Sequence, residues 1–259
     1  MNVQSLSLNK FKDIKKLSLK KFRDQSGLFM AEGLKVVSEA LLSEFLVQEI
    51  IIESSLLKDD NFQKIIKKAQ NKNIKIYSST LKQAEMLSAD KTAPGVFAVL
   101  KKENFNLNDL DQSESVLILD QLNDPGNIGT IIRTALWFGV KNIVLTKDSA
   151  DLYNAKTVRA SMGAIFSVKV SQDVVIKDLL KFLEKNKYKK YSLTAKGKDI
   201  RKIKLPAKAA YILGSESHGV DKELLNNCDD ELGIKGSGID SLNVAISAGI
   251  LLYAANKDL

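Results

Sequence analysis

Three stretches of the sequence place polar and charged side chains where a short apolar run leads into a loop or a helix. Residues at such positions can bind ligands, because the ligands of open α/β sheets lie beyond the carboxyl ends of the strands. The three stretches therefore predict one shared site. Its candidate residues are Asn127, Arg133, Glu216, Ser241 and Asn243.

The first stretch has the pattern of a strand, a turn and a helix. Residues 116–119 form an apolar run, which indicates a buried strand. The sequence Asp124-Pro125-Gly126 is typical of a turn. Asn127 then occupies the predicted N-cap position, and the apolar periodicity that follows it predicts a helix. Arg133 is expected about a turn and a half into this helix.

The second and third stretches repeat this design. The apolar run 210–213 leads into a loop that carries Glu216, and Ser241 and Asn243 open an apolar C-terminal helix. In order, the stretches read NDPGNIGTIIRTA, LGSESHGV and SLNVAISAGILLY. Together they resemble the three motifs of the SpoU (TrmH-type) RNA ribose 2′-O-methyltransferases of the SPOUT class.

This resemblance implies an α/β fold with a C-terminal trefoil knot, one of the known exceptions to unknotted topology. The knotted loops would be 214–219 and 234–243, and they would hold the methyl donor S-adenosylmethionine. The substrate would be a ribose 2′-hydroxyl in RNA, and no metal is expected. The family also implies a homodimer whose active site is close to the interface.

All five candidate residues match polar positions of the family motifs, and Arg133 is the strongest candidate for catalysis. A guanidinium stays protonated in proteins and is a poor general base. We therefore expect Arg133 to grip the phosphate beside the target ribose and to stabilise the developing alkoxide. Glu216 would orient Arg133 or contact RNA. Ser241 is also a suitable N-cap for the last helix.

A second group of residues matches the donor-binding positions of the family, either through backbone contacts or through an apolar side chain. Its members are Leu213, Gly214, Gly219, Ile234 and Leu242. Gly214 and Gly219 also permit close backbone approach to a ligand. The chain departs from the family here, since it reads Leu-Gly-Ile-Lys-Gly over 232–236 where Ile-Pro-Met is usual.

Residues upstream of the motifs alternate strand and helix patterns, which predicts a small α/β domain. The sequence FMAEGLKVVSEAL and the later TAPGVFAVL resemble the L30e-like substrate-binding domain of the same family, its RNA-docking module. The expected organisation is an L30e-like domain at 1–103, a polar linker at 104–113 and a SPOUT methyltransferase domain at 114–259.

The charge is basic and unevenly distributed, with a net value of +8. Residues 1–103 carry 18 Lys and Arg against 12 Asp and Glu, whereas 104–259 carry 21 against 19. A basic excess suits binding to phosphate backbones, although a solvated Lys-rich surface would look the same. Two segments concentrate the charge. They are a predicted amphipathic helix at 5–23, with Leu6, Phe11, Ile14 and Leu17 on one face, and the stretch 185–208.

Ribosomal RNA is the expected substrate and partner, by analogy with L30e-like domains. The alternatives are a transfer RNA 2′-O-methyltransferase and a non-catalytic RNA-binding protein that kept the fold. A serine hydrolase is disfavoured, because the only histidine, His218, is adjacent to Ser217. A dinucleotide-binding enzyme is disfavoured by the G-x-x-G spacing of Gly126 and Gly129.

The expected location is the cytoplasm, with no membrane association. The sequence has one cysteine, Cys228, which excludes an internal disulfide and fits a reducing compartment. It lacks an N-terminal apolar segment of the secretory type and any apolar run of 18 residues.

Overall fold

The computed structural model describes residues 3–89, 92–237 and 242–256. Contacts divide the chain into two compact units. The first unit is Met1–Glu103 with Tyr153–Phe166, and the second is Asn104–Leu152 with Ser167–Leu259. The predicted α/β class is confirmed.

Up to residue 103 the described chain alternates strands and helices. The strands are β1 (Val3–Ser5), β2 (Leu28–Glu32), β3 (Val47–Glu53), β4 (Lys75–Ser79) and β5 (Val96–Lys101). The helices are α1 (Leu8–Lys16), α2 (Lys20–Ser26), α3 (Leu34–Leu42), α4 (Asp60–Asn71) and α5 (Leu81–Leu87), with a 3₁₀ turn at Ser54–Leu56.

These strands form a mixed sheet in the order β1-β4-β3-β5-β2. Strand β4 is parallel to β1 and β3, whereas β5 is antiparallel to β2 and β3. Residues from α1, α5 and the sheet bury one apolar cluster, which includes Phe11, Ile14, Ile51 and Phe97. Burial of this apolar surface is the main stabilising contribution.

The predicted helix at 5–23 is wrong in its extent. The chain instead forms the edge strand β1, the helix α1 and the separate helix α2. The predicted apolar face is correct, because Leu6, Phe11, Ile14 and Leu17 are all buried. The break after Lys16 is held by Arg23, whose buried guanidinium donates to the carbonyl oxygens of Leu17 and Ser18 at 2.8 Å each.

The rest of the chain adds six strands and five helices among the described residues. The strands are β6 (Val116–Asp120), β7 (Asn142–Thr146), β8 (Lys169–Val174), β9 (Lys189–Asp199), β10 (Ala209–Gly214) and β11 (Asp230–Gly233). The helices are α6 (Pro125–Trp137), α7 (Ala155–Ala160), α8 (Ile176–Lys185), α9 (Lys222–Asn226) and α10 (Val244–Ala255), and 3₁₀ turns lie at Leu107–Asp109, Ala164–Ser167 and Ile200–Lys202.

The six strands form a sheet in the order β11-β9-β10-β6-β7-β8, in which every pair is parallel. Parallel sheets of this kind are buried on both faces, which explains the near-continuous apolar runs of β6 and β10. Because the strands run the same way, their carboxyl ends meet at one edge. The three motifs follow β6, β10 and β11, so this edge brings them together.

Residues Tyr153–Phe166 leave the second unit and pack in the first. Tyr153 is buried there, and its hydroxyl donates to the carbonyl oxygen of Glu103 at 2.6 Å. Arg159 of α7 contacts the buried carboxylate of Glu32 at 3.2 Å. The sequence did not predict this excursion. Removal of residues 1–103 would expose the apolar side chains of this segment, so the second unit is best studied in the full chain.

Candidate active site

The three predicted stretches meet at the carboxylate of Glu216. Its Oε1 atom accepts hydrogen bonds from Asn127 Nδ2 at 3.0 Å and from Asn243 Nδ2 at 3.1 Å. Asn243 Nδ2 also donates to Asn127 Oδ1 at 3.1 Å, and the backbone N–H of Val244 donates to Glu216 Oε1 at 3.4 Å. One polar cluster therefore joins residues that are 89 and 116 positions apart in the chain.

The position of Asn127 in helix α6 leaves its side chain free for this cluster. Its predicted role as N-cap is wrong, because the cap is Asp124, three residues earlier, and the helix begins at Pro125. The Asp124 carboxylate accepts from the backbone N–H groups of Gly126 at 2.5 Å and Asn127 at 3.1 Å. Pro125 occupies the first helical position, where its missing N–H costs nothing.

Helix α10, in contrast, begins two residues after its predicted position. Asn243 is the N-cap, and its Oδ1 accepts from the backbone N–H of Ala245 at 2.9 Å. One amide side chain thus caps the helix through its oxygen and contacts Glu216 through its nitrogen. Ser241 lies outside the described residues, and the prediction that it caps this helix is not supported by the observed cap.

A buried carboxylate behind this cluster fixes the loops. Asp120, at the end of β6, is fully buried. Its Oδ1 accepts from Thr146 Oγ1 at 2.7 Å, and its Oδ2 accepts from the backbone N–H of Asp221 at 2.8 Å. Asp120 therefore ties β7 and the loop after β10 to the end of β6. The only signal for it in the sequence was a carboxylate that closes an apolar run.

A cavity of about 520 Å³ opens beside the cluster. Each predicted donor-binding residue lines it, namely Leu213, Gly214, Gly219, Ile234 and Leu242. Glu216 forms part of the same wall. Sequence reasoning missed further lining residues, among them Leu193, Thr194, Ala195, Val220, Lys235 and Ser247.

Two glycines make the cavity wall possible. A Cβ atom on Gly214 would lie 2.1 Å from the backbone carbonyl carbon of Gly219 and 2.2 Å from the nitrogen of Val220. No side chain fits between these backbone segments. Gly219 itself has a φ of +71°, a conformation that L residues rarely adopt. The loop 214–219 therefore folds back against the end of β10.

A large bulge in β9 supplies another part of the wall. Ser192 of β9 pairs with Glu231 of β11, but the next β11 residue, Leu232, pairs with Lys198. The intervening segment 193–197 thus leaves the ladder with β11, although Leu193 still pairs with Leu213 of β10. The first three residues of this segment line the cavity. Thr194 Oγ1 anchors the bulge by donating to Glu231 Oε2 at 2.8 Å. The local sequence gave no indication of this bulge.

Arg133 lies apart from the Glu216 cluster. It is exposed on α6, six residues beyond Asn127, which corresponds to about 9 Å along the helix axis. Its guanidinium makes no hydrogen bond or ion pair with any residue that the structure describes. The expectation that Glu216 orients Arg133 is therefore not met, since the carboxylate is bound by Asn127, Asn243 and Val244.

Three further observations concern a serine nucleophile, a metal site and a membrane-spanning helix. Ser217 Oγ lies 2.8 Å from His218 Nδ1, but neither side chain lines the cavity. The described part of the chain holds no group of three or more His, Cys, Asp and Glu residues that could bind a metal ion. It also contains no helix that is long and apolar enough to cross a membrane.

Comparison with known proteins identifies this arrangement. Residues 114–253 match the model of the SpoU rRNA methylase family. The chain belongs to this family. Residues 9–98 match the MRM3-like substrate binding domain, as expected from the resemblance in the first domain. The SpoU match spans all three motifs.

Individual relatives agree with the family match. The chain is 32% identical over 97% of both chains to the 23S rRNA (guanosine(2553)-2'-O)-methyltransferase RlmP of Bacillus subtilis. An AdoMet-bound rRNA methyltransferase from Sinorhizobium meliloti superposes with a TM-score of 0.87 at 28% identity, covering 99% of this chain and 97% of that one. The AviRb methyltransferase of Streptomyces viridochromogenes, at 20% identity and a TM-score of 0.86, shares the fold over 97% of this chain and 98% of its own.

Proposed function

We propose that this protein transfers a methyl group from S-adenosylmethionine to a ribose 2′-hydroxyl of RNA, in the RNA of the large ribosomal subunit. The observation that carries the proposal is the meeting of all three motif stretches at Glu216, on the wall of a ligand-sized cavity. The relative from Bacillus subtilis, which acts on 23S rRNA, supports the choice of RNA.

The cavity has the properties that the donor requires. Its volume of about 520 Å³ is typical of a site for a small molecule or cofactor. Leu193, Leu213, Ile234 and Leu242 would pack against the adenosine, and the close backbone contact at Gly214 leaves main-chain polar groups near the ligand. The donor supplies an electrophilic methyl group on a positively charged sulfur. By the family resemblance, the loops 214–219 and 234–243 would hold it and belong to the trefoil knot; residues 238–241 of the second loop lie outside the described residues.

Glu216 would orient the reacting groups. Its Oε1 atom accepts three N–H groups, whereas Oε2 accepts no hydrogen bond from the described residues. The amide groups of Asn127 and Asn243 therefore fix the carboxylate and leave one oxygen for the ribose hydroxyl. Fixed geometry of this kind accounts for a large share of the rate gain in displacement reactions. Ser241 would complete this group.

Arg133 would bind the phosphate beside the target ribose. An exposed guanidinium that has no partner among the described residues is available for a bidentate contact with two phosphate oxygens. Its positive charge would also stabilise the alkoxide that develops on the 2′-oxygen. The proton would leave to the phosphate or to water, since Arg133 cannot accept it.

The first unit would dock the RNA. Its two segments contain 20 Lys and Arg against 12 Asp and Glu, so it carries an excess of +8. Such a surface attracts a phosphate backbone without selecting a sequence. The match of this unit to a substrate-binding domain supports the same role. We place the reaction in the cytoplasm, in agreement with the single cysteine.

A second copy of the chain would cover the apolar surface of α6 and α10. These helices pack together, and Trp137, Ile246 and Tyr253 are 82%, 56% and 74% exposed. Large exposed aromatic and aliphatic groups on adjoining helices mark an interface. We expect a homodimer in light scattering, of about twice 28.6 kDa. Trp137→Glu should shift it towards the monomer, and a monomeric wild type would contradict the proposal.

Methyl transfer to different RNAs tests the substrate. The full chain, labelled donor and transcripts of 23S rRNA or of transfer RNA would be incubated separately. We expect label in the ribosomal transcript only. Label in transfer RNA alone would change the substrate class. If S-adenosylmethionine at millimolar concentration did not bind, the alternative of a non-catalytic RNA-binding protein would be favoured.

A further inference from the structure

The basic stretch 185–208 is not one surface. Because β9 runs through it, the cations fall near opposite edges of the parallel sheet. Those near the amino ends of β9 and β10 are Lys185, Lys187, Lys189, Lys190 and Lys208. Those in and beyond the second half of β9, on the side of the cavity, are Lys196, Lys198, Arg201 and Lys202.

Several of these charges are already neutralised within the second unit. Lys198 pairs with Asp230 at 2.8 Å, and Arg201 forms three side-chain hydrogen bonds with Asp199. Those hydrogen bonds lower the pKa of the Asp199 carboxyl to about 2, so the pair stays charged at every pH of interest. Neither cation is therefore available to a ligand without loss of its partner.

Two lysines that lie in the cavity wall or directly next to it are not paired in this way. Lys235 lines the cavity itself, and Lys196 directly follows Ala195, which also lines it. Both side chains are exposed, and neither makes a hydrogen bond or an ion pair with a residue that the structure describes. A second observation shows that their segments lie together: a Cβ on Gly197 would be 2.3 Å from the backbone of Leu232, and one on Gly233 would be 2.5 Å from the oxygen of Gly197.

The second unit has no net charge, so Lys196 and Lys235 form a local positive site on it. Outside Met1–Glu103 and Tyr153–Phe166 the chain has 19 Lys and Arg and 19 Asp and Glu, so this unit is neutral as a whole. A general attraction to RNA cannot come from it. Unpaired cations at the mouth of the cavity provide a local attraction instead, at the place where a nucleotide must approach the donor.

We propose that Lys196 and Lys235 bind RNA backbone phosphates next to the target nucleotide and so seat the ribose at the cavity. This inference rests on the proposed function. A lysine ammonium is a strongly hydrated point charge that binds phosphate without a fixed geometry. The two lysines would thus position the strand through charge, independently of base identity, and Arg133 would make the directional contact at the reacting ribose.

A pair of double variants of the full chain tests the proposal. The first is Lys196→Met with Lys235→Met. The matched control, Lys185→Met with Lys189→Met, removes two exposed lysines from the opposite edge of the same sheet. For each protein the affinity for a 23S rRNA transcript is measured at several KCl concentrations. Donor affinity is measured by calorimetry without RNA.

We expect the cavity variant to lose roughly tenfold or more in RNA affinity at 0.1 M KCl. The slope of log affinity against log salt concentration should be shallower by about 1.4–1.8. The reason is that a protein with two fewer phosphate contacts releases fewer counterions when it binds RNA. The control should retain the wild-type slope, and the donor affinity of both variants should be unchanged.

Two outcomes would overturn the inference. Equal RNA affinity for both variants would show that these lysines do not meet RNA. A weaker donor affinity in the cavity variant would show that they serve an anionic group of the donor, such as its carboxylate. Neither outcome bears on the proposed function itself, which fails only if the wild-type chain does not bind the donor or transfer its methyl group.

Discussion

The two sheets of this protein differ in the direction of their strands, and this difference separates their roles. In the six-stranded sheet every described pair is parallel, so the loops after β6, β10 and β11 gather at one edge. In the five-stranded sheet β5 is antiparallel to both of its neighbours, so strand ends are distributed over both edges. A cavity of about 520 Å³ lies at the parallel sheet. The unit that contains the mixed sheet has a cavity of about 90 Å³.

The larger cavity is in the second unit, whereas the net charge is in the first. The first unit carries the whole net charge of +8, and the second has equal numbers of acidic and basic residues. A unit with a basic surface is suited to binding a long anionic polymer. A neutral unit with converging loops is suited to aligning small groups. On this comparison, damage to the second unit should affect chemistry or donor binding, and damage to the first should affect stability and docking.

Arg133→Lys should produce the largest effect. The variant keeps the charge but loses the planar bidentate contact with phosphate. We expect the rate of methyl transfer to fall by two to three decades, equivalent to about 3–4 kcal/mol for a lost transition-state contact. Donor affinity should stay the same. Arg201→Lys is the control, because Arg201 is bound by Asp199, and near-normal activity in Arg133→Lys would remove Arg133 from the mechanism.

Gly214→Ala should act on the donor. The added Cβ would meet the backbone of Gly219 at 2.1 Å, and overpacking typically costs about 1–3 kcal/mol. We expect the dissociation constant for S-adenosylmethionine to rise roughly 100-fold in calorimetry. Gly236→Ala is a close control in the same cavity wall, because its Cβ would meet no atom within 4 Å. Similar affinities for both variants would place the donor elsewhere.

Arg159→Ala should weaken the first unit and leave donor binding unchanged. The substitution removes a cation from the carboxylate of Glu32, which is 3% exposed and also accepts from Ser88 Oγ and the N–H of Ala89. We expect a loss of about 1–3 kcal/mol in the free energy of unfolding, seen as a lower urea midpoint.

Lys35→Ala should have the smallest effect on the free energy of unfolding. It breaks an exposed i,i+4 pair with Glu39 on α3. Such pairs contribute only about 0.2–0.5 kcal/mol. If Arg159→Ala had no larger effect than Lys35→Ala, segment 153–166 would not be an integral part of the first unit.

The sequence predicted the features that depend on local pattern and missed those that depend on distant partners. Buried apolar runs gave β6 and β10, and helical periodicity gave α6 and α10. The start of α6 was predicted three residues too late and that of α10 two residues too early, because several nearby residues can cap and only the folded loop selects Asp124 or Asn243.

The bulge in β9 and the excursion at 153–166 had no local signal. The bulge is defined by the register of the distant strand β11, in which Glu231 pairs with Ser192 and Leu232 pairs with Lys198. Segment 153–166 has ordinary helical periodicity, and distant partners such as Glu32, 127 residues upstream of Arg159, show where it packs. Likewise Asn127 and Asn243 were predicted as site residues by motif, but their shared contact with Glu216 became visible only in the structure.

The chemical identity of the methylated nucleoside tests the central claim most directly. RNA modified by the full chain with S-adenosylmethionine would be digested to nucleosides and separated by mass spectrometry. The Glu216 cluster and the exposed Arg133 predict a single product that carries the methyl group on the ribose, with an unmodified base. A methylated base with an unmodified ribose would contradict the account.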